Sequence, residues 1–280
     1  MGTVEIRGYD RETRILSFTD WEAYAMPPER KLKHWKEGRS AFELARIWTS
    51  NGAPDIPSEL AELLNSHEAT RGSVIRSGIT EHETTLPFAN RGPRCHDLAL
   101  KADQGDSGVT VCIEAKADET FGGTVEVELL NARNRTPKTK FPDRLDWLTR
   151  SLLGLRAFDG DNGIVLSDLI SGLPYQLFSA ISGTLLEAEL QKSTKAVLVV
   201  HEFRTALTTD AKMEANGSIL DHFLRLLLAR NSAPCENFCL RRGQLFGPVS
   251  ILERSLPGTR QMPCDIPFFI GKIRTDRMAS

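Results

Sequence analysis

The stretch that most constrains this chain is Cys95 to Lys116, CHDLALKADQGDSGVTVCIEAK, two apolar runs around a short polar segment. Residues 94 to 100 and 109 to 116 are apolar enough to be buried strands. The segment between them, ADQGDSG, is rich in residues that favour turns, so a hairpin is the economical reading. With the turn centred on Gly105 and Asp106, paired residue numbers sum to 211, and Asp97 faces Glu114 across the ladder. Opposed residues have Cβ atoms roughly 5 Å apart, so both carboxylates can reach one ion whose oxygen ligands lie about 2.1 Å away. The period of a strand is two, so Glu114 and Lys116 project from one face and Ala115 from the other. A register slip of one residue would turn Asp97 away from both.

A bland reading stands beside this one. A strand that ends in Glu-X-Lys is often a solvated edge, and an aspartate near a turn is often a cap. Leu98, Leu100, Val111, Cys112 and Ile113 nevertheless make both runs apolar on both faces, and buried charges need partners or metals.

Asp97, sixteen intervening residues and then Glu114-Ala115-Lys116 resemble the PD-(D/E)XK nuclease superfamily, with His96 where a proline is common. The segments KHWKEGRSAFELARIW, ITEHETTLP, RCHDLALKA, IEAKADETFG, YQLFSAISGTL and VLVVHEF extend the resemblance, to a bacterial branch, over most of the chain. It implies an α/β fold, a single domain with a central mixed sheet flanked by helices around a restriction-endonuclease-like αβββαβ core. Residues 1–66 would be an N-terminal helical region packed on a core formed by 67–280. It also implies a metal-dependent nuclease acting on DNA, with Asp97 and Glu114 holding Mg2+ or Mn2+ and Lys116 as the third catalytic group. Gln176, in the first turn of a helix, matches a glutamine that lines the site in exonuclease-like members, and is equally a polar residue of a capping region. A further acidic ligand would come from Glu59, Glu62, Glu81 or Glu83, among which the sequence does not choose.

Composition sets the bounds. At 280 residues the chain can bury a sizeable core in one large domain or two small ones. No run of eighteen apolar residues suggests a membrane span, and MGTVEIRGYDRETR does not read as a secretory signal. Five scattered cysteines, Cys95, Cys112, Cys235, Cys239 and Cys264, fit a reducing cytoplasm better than a disulfide framework. Cys235 and Cys239 lack the further ligands of a zinc site, and Cys95 and Cys112 read as small apolar groups. A net charge of −2 excludes a globally basic nucleic-acid binder, so contact with DNA requires a local patch.

The most basic window is RNRTPKTKFPDR, which reads as a loop entering a helix at 142 to 155. Its Arg133, Arg135, Lys138 and Lys140 are the expected nucleic-acid contacts, with Arg144 beside them, and a merely solvated loop is an equal reading of the same window. Upstream, residues 1 to 26 read as an arm laid on the core. Residues 27 to 38, with two prolines that suit a helix start, read as a charged helix that ends at Gly38, whose Trp35 amid lysines could rest on phosphates. Ser40 and Glu43 have the S-x-x-E spacing of a capping box on a helix to Ser50, and Pro57 to Asn65 is a second helix. A strand is expected over His82 to Phe88, and Asp118 and Glu119 lie just past the motif as possible second-ion ligands. Thr124 to Ala132 reads as a short helix. Pro174 to Gln191 reads as an amphipathic helix on which Ser179 and Gly183 permit close approach to the sheet. Lys195 to Phe203 is a buried strand after a crossover that ends in His201, and helix 218–230 and pieces near 238–240, 245–246 and 268–273 follow.

Phosphodiesters are anionic and unreactive, so their hydrolysis needs charge neutralisation and a generated nucleophile. Lys116 would then orient or activate water and stabilise developing charge, with a homodimer as a possible assembly. The alternative is a non-catalytic nucleic-acid-binding or partner-binding protein on the same fold. No Walker loop, GxSxG, HExxH or GxGxxG competes.

Overall fold

The computed structural model describes residues 4–88, 92–159, 165–229, 237–251 and 260–276; Arg91 and Cys235 lie outside them. In chain order the first elements are β1 (Glu5–Arg7), β2 (Arg14–Ile15), α1 (Phe18–Tyr24), α2 (Pro28–His34), α3 (Ser40–Trp48) and α4 (Ser58–Asn65). Then come β3 (Val74–Thr84), β4 (Arg94–Gln104), β5 (Ser107–Lys116), α5 (Val125–Arg135), α6 (Phe141–Leu153), β6 (Phe158–Asp159), β7 (Val165–Leu166) and α7 (Asp168–Ser171). The last are α8 (Tyr175–Leu190), β8 (Lys195–Arg204), α9 (Asp210–Ala229), β9 (Leu245–Val249) and β10 (Phe268–Asp276). Apart from the β6–β7 pair, the described strands form one eight-stranded mixed sheet, ordered β2-β1-β3-β4-β5-β8-β10-β9.

Alternation along the central strands divides the core into two halves. Ala99, Cys112, Leu198 and Val200 face a cluster built with α5, α6, α8 and α9. Leu98, Leu100, Val111, Ile113 and Val199 face the other, which holds Trp21, Trp48, Leu60 and Leu63 from α1, α3 and α4. The result is a single α/β domain with helices on both faces of the sheet.

The central hairpin has the expected register. Leu98 pairs with Ile113 and Gln104 with Ser107, around a turn in which Gly105 takes φ +58°. β8 runs parallel to β5, with Glu114 beside Val200 and Lys116 beside Glu202, as the crossover reading requires. Between β5 and β8 the chain passes through α8, which is fixed near its C-terminal end and at mid-length. Near its C-terminal end Glu187 takes hydrogen bonds from Thr84 at 2.8 Å and Gln191 at 2.9 Å, and pairs with His82 at 2.9 Å. At mid-length a Cβ on Gly183 would lie 2.7 Å from Arg94 Cγ and 2.9 Å from His96 Nε2. Only glycine permits this approach to the sheet.

Several elements differ from the expectations. β3 begins at Val74 rather than near His82, because it also pairs with β1 and must match the full length of β4. Residues 1–66 are not only helical: the strand that the sequence suggests over Val4 to Arg7 is present as β1, and with β2 it extends the sheet. α8 is buried nearly all round rather than amphipathic, because α6 and α9 cover the side away from the sheet; Phe178 meets Phe223 at 4.8 Å. α9 starts at Asp210, and residues 238–240 are not a strand. Arg39, not Ser40, precedes α3 as its cap residue, and Glu43 instead accepts from the Gly38 amide at 3.0 Å. Trp35 packs between Phe18 and Phe42, at 5.8 and 5.6 Å, which removes it as a phosphate platform.

Candidate functional site

Antiparallel pairing of β4 and β5 and the first turn of α8 bring Asp97, Glu114, Lys116 and Gln176 to one point at the carboxyl end of β5. Asp97 Oδ2 accepts from the Ala115 amide at 2.7 Å, which holds the two strands in register at the motif. Glu114 is the hub. Its Oε1 accepts from Gln176 Nε2 at 2.6 Å and lies 2.7 Å from Lys116 Nζ, while its Oε2 is paired with Arg94. Lys116 also donates to Gln176 Oε1 at 3.1 Å and lies 5.4 Å from the centroid of the Phe121 ring. Gln176 thus has its amide nitrogen on the acid and its oxygen on the amine, a role that fixes its orientation.

Two cavities meet at this cluster. One, of about 400 Å³, has Glu81, Asp97, Glu114 and Glu119 around Lys116 and Gln176. The other, of about 520 Å³, lies beyond Lys116 and Gln176 and is lined by Arg94, Phe121 and Tyr175.

Of the four additional acids considered from sequence, the fold brings Glu81 to the site. It holds φ at +45°, accepts from the Cys95 thiol at 3.2 Å and from Arg30 at 3.2 Å. Glu83 is turned outward to Arg30, Glu62 is exposed, and Glu59 sits across the sheet, accepting from Thr275 at 3.0 Å. Glu119 joins the site as well, bound by the Ser40 hydroxyl and by the Ala117 amide at 3.2 Å. Asp118 instead lies 3.6 Å from Arg39.

The electrostatics follow from burial. Burial pushes the Glu81 carboxyl up to about 7, with nearby Asp97 adding to the rise. Asp97 is raised by its own burial, although Lys116, the Ala115 amide and Arg94 all pull against it. Burial brings the Lys116 ammonium down to about 8 despite the opposing fields of Asp97 and Glu119. Glu81 and Asp97 are therefore acids whose negative charge is incompletely balanced by the protein.

Among the described residues, no three His, Cys, Asp or Glu side chains are gathered closely enough to hold a metal ion as they stand. The donor chemistry still fits a hard divalent cation, because two half-buried, under-compensated carboxylates, Glu81 and Asp97, open on the same cavity. Glu114 could join them by releasing Arg94 from its Oε2, or Lys116 or Gln176 from its Oε1.

Other expected residues are placed elsewhere. Arg133 and Arg135 ride on the last turn of α5, not on a loop, and with Lys138 and Lys140 they are exposed. Arg144 is buried and donates to the carbonyls of Pro87, Phe88 and Gly92 at 2.9, 2.7 and 3.0 Å, so it is structural. His201 is buried on the opposite side of the sheet, 3.0 Å from Thr275 Oγ1 and stacked on Phe203. Cys112 is buried as expected, whereas Cys95 is half-buried and bonded to Glu81. The unforeseen member is Arg94. Its one sequence signal is a cation at the start of a strand that is otherwise buried, where it needs a partner.

Among the described residues no helix is long and apolar enough to cross a membrane. No curated protein and no solved structure matches the chain. Residues 14–277 match the family described as a domain of unknown function, DUF6946, and the chain belongs to that family.

Proposed function

We propose that this chain is a metal-dependent nuclease that hydrolyses phosphodiester bonds in DNA, on a restriction-endonuclease-like core. The observation that carries this reading is the convergence of Asp97, Glu114, Lys116 and Gln176 from three elements. The element order α4-β3-β4-β5-α8-β8 supports it, because it can be read as the αβββαβ core once α5 to α7 are taken as an insertion.

Asp97 and Glu114 are the residues that would hold Mg2+ or Mn2+, with Glu81 able to add a third oxygen donor. When bound, such an ion supplies charge neutralisation and lowers the pKa of water. The chain's own groups do the rest. Gln176 fixes the orientation of Glu114 and Lys116 together. Lys116, already brought down to about 8 by burial, is suited to take a proton from attacking water as the neutral amine or to face developing negative charge as the ammonium. Phe121 shields one side of that amine from solvent.

A second reading has its own observation. Glu114 is fully engaged by Arg94, Lys116 and Gln176, as it would be in a protein that binds nucleic acid without cutting it. One assay separates the two: purified protein with plasmid, linear duplex, single-stranded DNA and RNA, in magnesium, manganese or EDTA. Cleavage that needs metal and is lost in both Asp97→Ala and Lys116→Ala supports the nuclease. Binding without cleavage selects the second reading.

A further inference from the structure

The 400 Å³ cavity has two chemically opposite sides. Its floor is the carboxylates of Glu81, Asp97 and Glu114, and its outer wall carries two cations, Arg30 on α2 and Arg39 at the start of α3, with His34 of α2 beside them. The basic window at 133–140 contributes nothing to this space. Arg133 and Arg135 close an eleven-residue α5, about 12 and 15 Å along its axis from its first residue, Val125.

The wall is built to exchange partners. Arg30 reaches Glu81 and Cys95 with one nitrogen, at 3.2 and 3.1 Å, and Glu83 with the other at 3.3 Å, and its side chain is still 43% exposed. Arg39 is 3.6 Å from Asp118 and 40% exposed. In the Arg30–Glu81 and Arg39–Asp118 pairs the arginine is the partner that reaches solvent, and an arginine fork on a phosphate makes two charge-assisted hydrogen bonds. No side chain caps α3, which begins at the cavity with Arg39, Ser40 and Ala41, so its helix dipole adds partial positive charge on the same side. The span between Arg30 and Arg39 is anchored by Trp35, packed on Phe18 and Phe42. The cations are therefore held at the mouth while their heads stay free to move.

We propose that Arg30, His34 and Arg39 are the phosphate-gripping wall of this site and hold the nucleic-acid backbone on the side of the cavity facing Lys116. This deepens the nuclease reading and rests on it. Arg30 has two employments, counter-ion of Glu81 without nucleic acid and phosphate ligand with it. The exposed run from Arg133 to Lys140 is a solvated surface.

The test uses full-length Asp97→Asn protein in EDTA, which binds without cutting, with a fluorescein-labelled DNA strand and its duplex titrated across a range of salt. Arg39→Ala, His34→Ala and the charge-balanced pair Arg30→Gln with Glu81→Gln are compared with the fourfold Arg133, Arg135, Lys138 and Lys140 to Ala variant, all checked for thermal unfolding. Each arginine replacement is expected to weaken binding about tenfold at low salt and to lower the slope of log K against log salt by about 0.9 for the duplex and about 0.7 for the single strand. The fourfold variant should bind as its parent does. The reverse pattern, with wall variants unchanged and the fourfold variant defective, overturns the proposal and leaves the nuclease reading standing. A parent that binds neither strand nor duplex overturns both.

Discussion

Gln176 donates to Glu114 Oε1 at 2.6 Å and, through its own oxygen, accepts from Lys116 at 3.1 Å. One amide therefore holds the acid and the amine of the motif at a fixed separation, from a helix that approaches the sheet independently of the hairpin. Gln176→Ala is expected to reduce cleavage on the order of a hundredfold, the scale for losing one preorganised donor. Gln176→Glu should be at least as damaging, because it sets a carboxylate against Glu114. Rates for both, with thermal unfolding as a control on folding, check the prediction; wild-type rates in both would remove Gln176 from the site.

The pH profile tests what Lys116 does. Its ammonium is brought from 10.5 to about 8, chiefly by burial. If the neutral amine takes the proton from water, the cleavage rate rises about tenfold per pH unit below 8 and levels off above it. If the ammonium acts as a charge, the rate falls above 8 instead. The stability sign is separate. The folded state holds fewer protons than the unfolded chain between about 8 and 10.5, so the contribution of this lysine improves as pH rises through that window. Lys116→Met should flatten both profiles.

The hairpin and its register were legible because a turn-rich segment lay between two apolar runs, and the period of two then set Glu114 and Lys116 on one face. The same logic placed β8 beside β5 and left Gly183 as the point of close approach. What could not be read were the contacts made across the chain. Arg94 reaches Glu114 and Ser40 reaches Glu119, and neither pairing has a local signature. The capping-box spacing misled for the same reason, since Ser40 has a partner 79 residues away. Glu81 was one of four candidates until the length of β3 and its pairing with β4 decided which acid came beside Asp97.

Burial of Glu81 predicts an unusual stability profile. Its carboxyl is raised from 4.5 to about 7, so between those values the folded state holds more protons than the unfolded chain. The cost of ionising it is absent below about 4.5 and complete above about 7. Glu81→Gln should therefore stabilise the protein at pH 8, by on the order of 3 kcal/mol, with the gain shrinking towards pH 5. Urea unfolding at the two pH values measures it. An equal effect at both would mean that Glu81 ionises normally.

The same incomplete charge balance makes a prediction for metal. At pH 8, millimolar magnesium or manganese should raise the melting temperature, and EDTA should reverse the gain, because an ion bound only by the folded state stabilises it by mass action. Asp97→Asn should abolish the shift. A shift that persists in Asp97→Asn would place the ion elsewhere on the chain.

Gly183 links the fold to the chemistry. A methyl group there meets Arg94 Cγ at 2.7 Å and His96 Nε2 at 2.9 Å, and neither can retreat freely, since both are buried and Arg94 is paired with Glu114. Gly183→Ala must therefore push α8 off the sheet or push Arg94 off Glu114. Either movement displaces Gln176 relative to Glu114, because Gln176 rides on the same helix. The variant is expected to lose roughly 1–3 kcal/mol of stability, the usual cost of overpacking, and to lose cleavage beyond what the unfolded fraction explains. Gly172→Ala is the matched control. Gly172 has φ −83°, and a methyl group added there would meet nothing within 4 Å, so it should be neutral or slightly stabilising. If Gly183→Ala unfolds and cleaves like Gly172→Ala, α8 does not need its close seat on Arg94, and the link from helix packing to the site is broken.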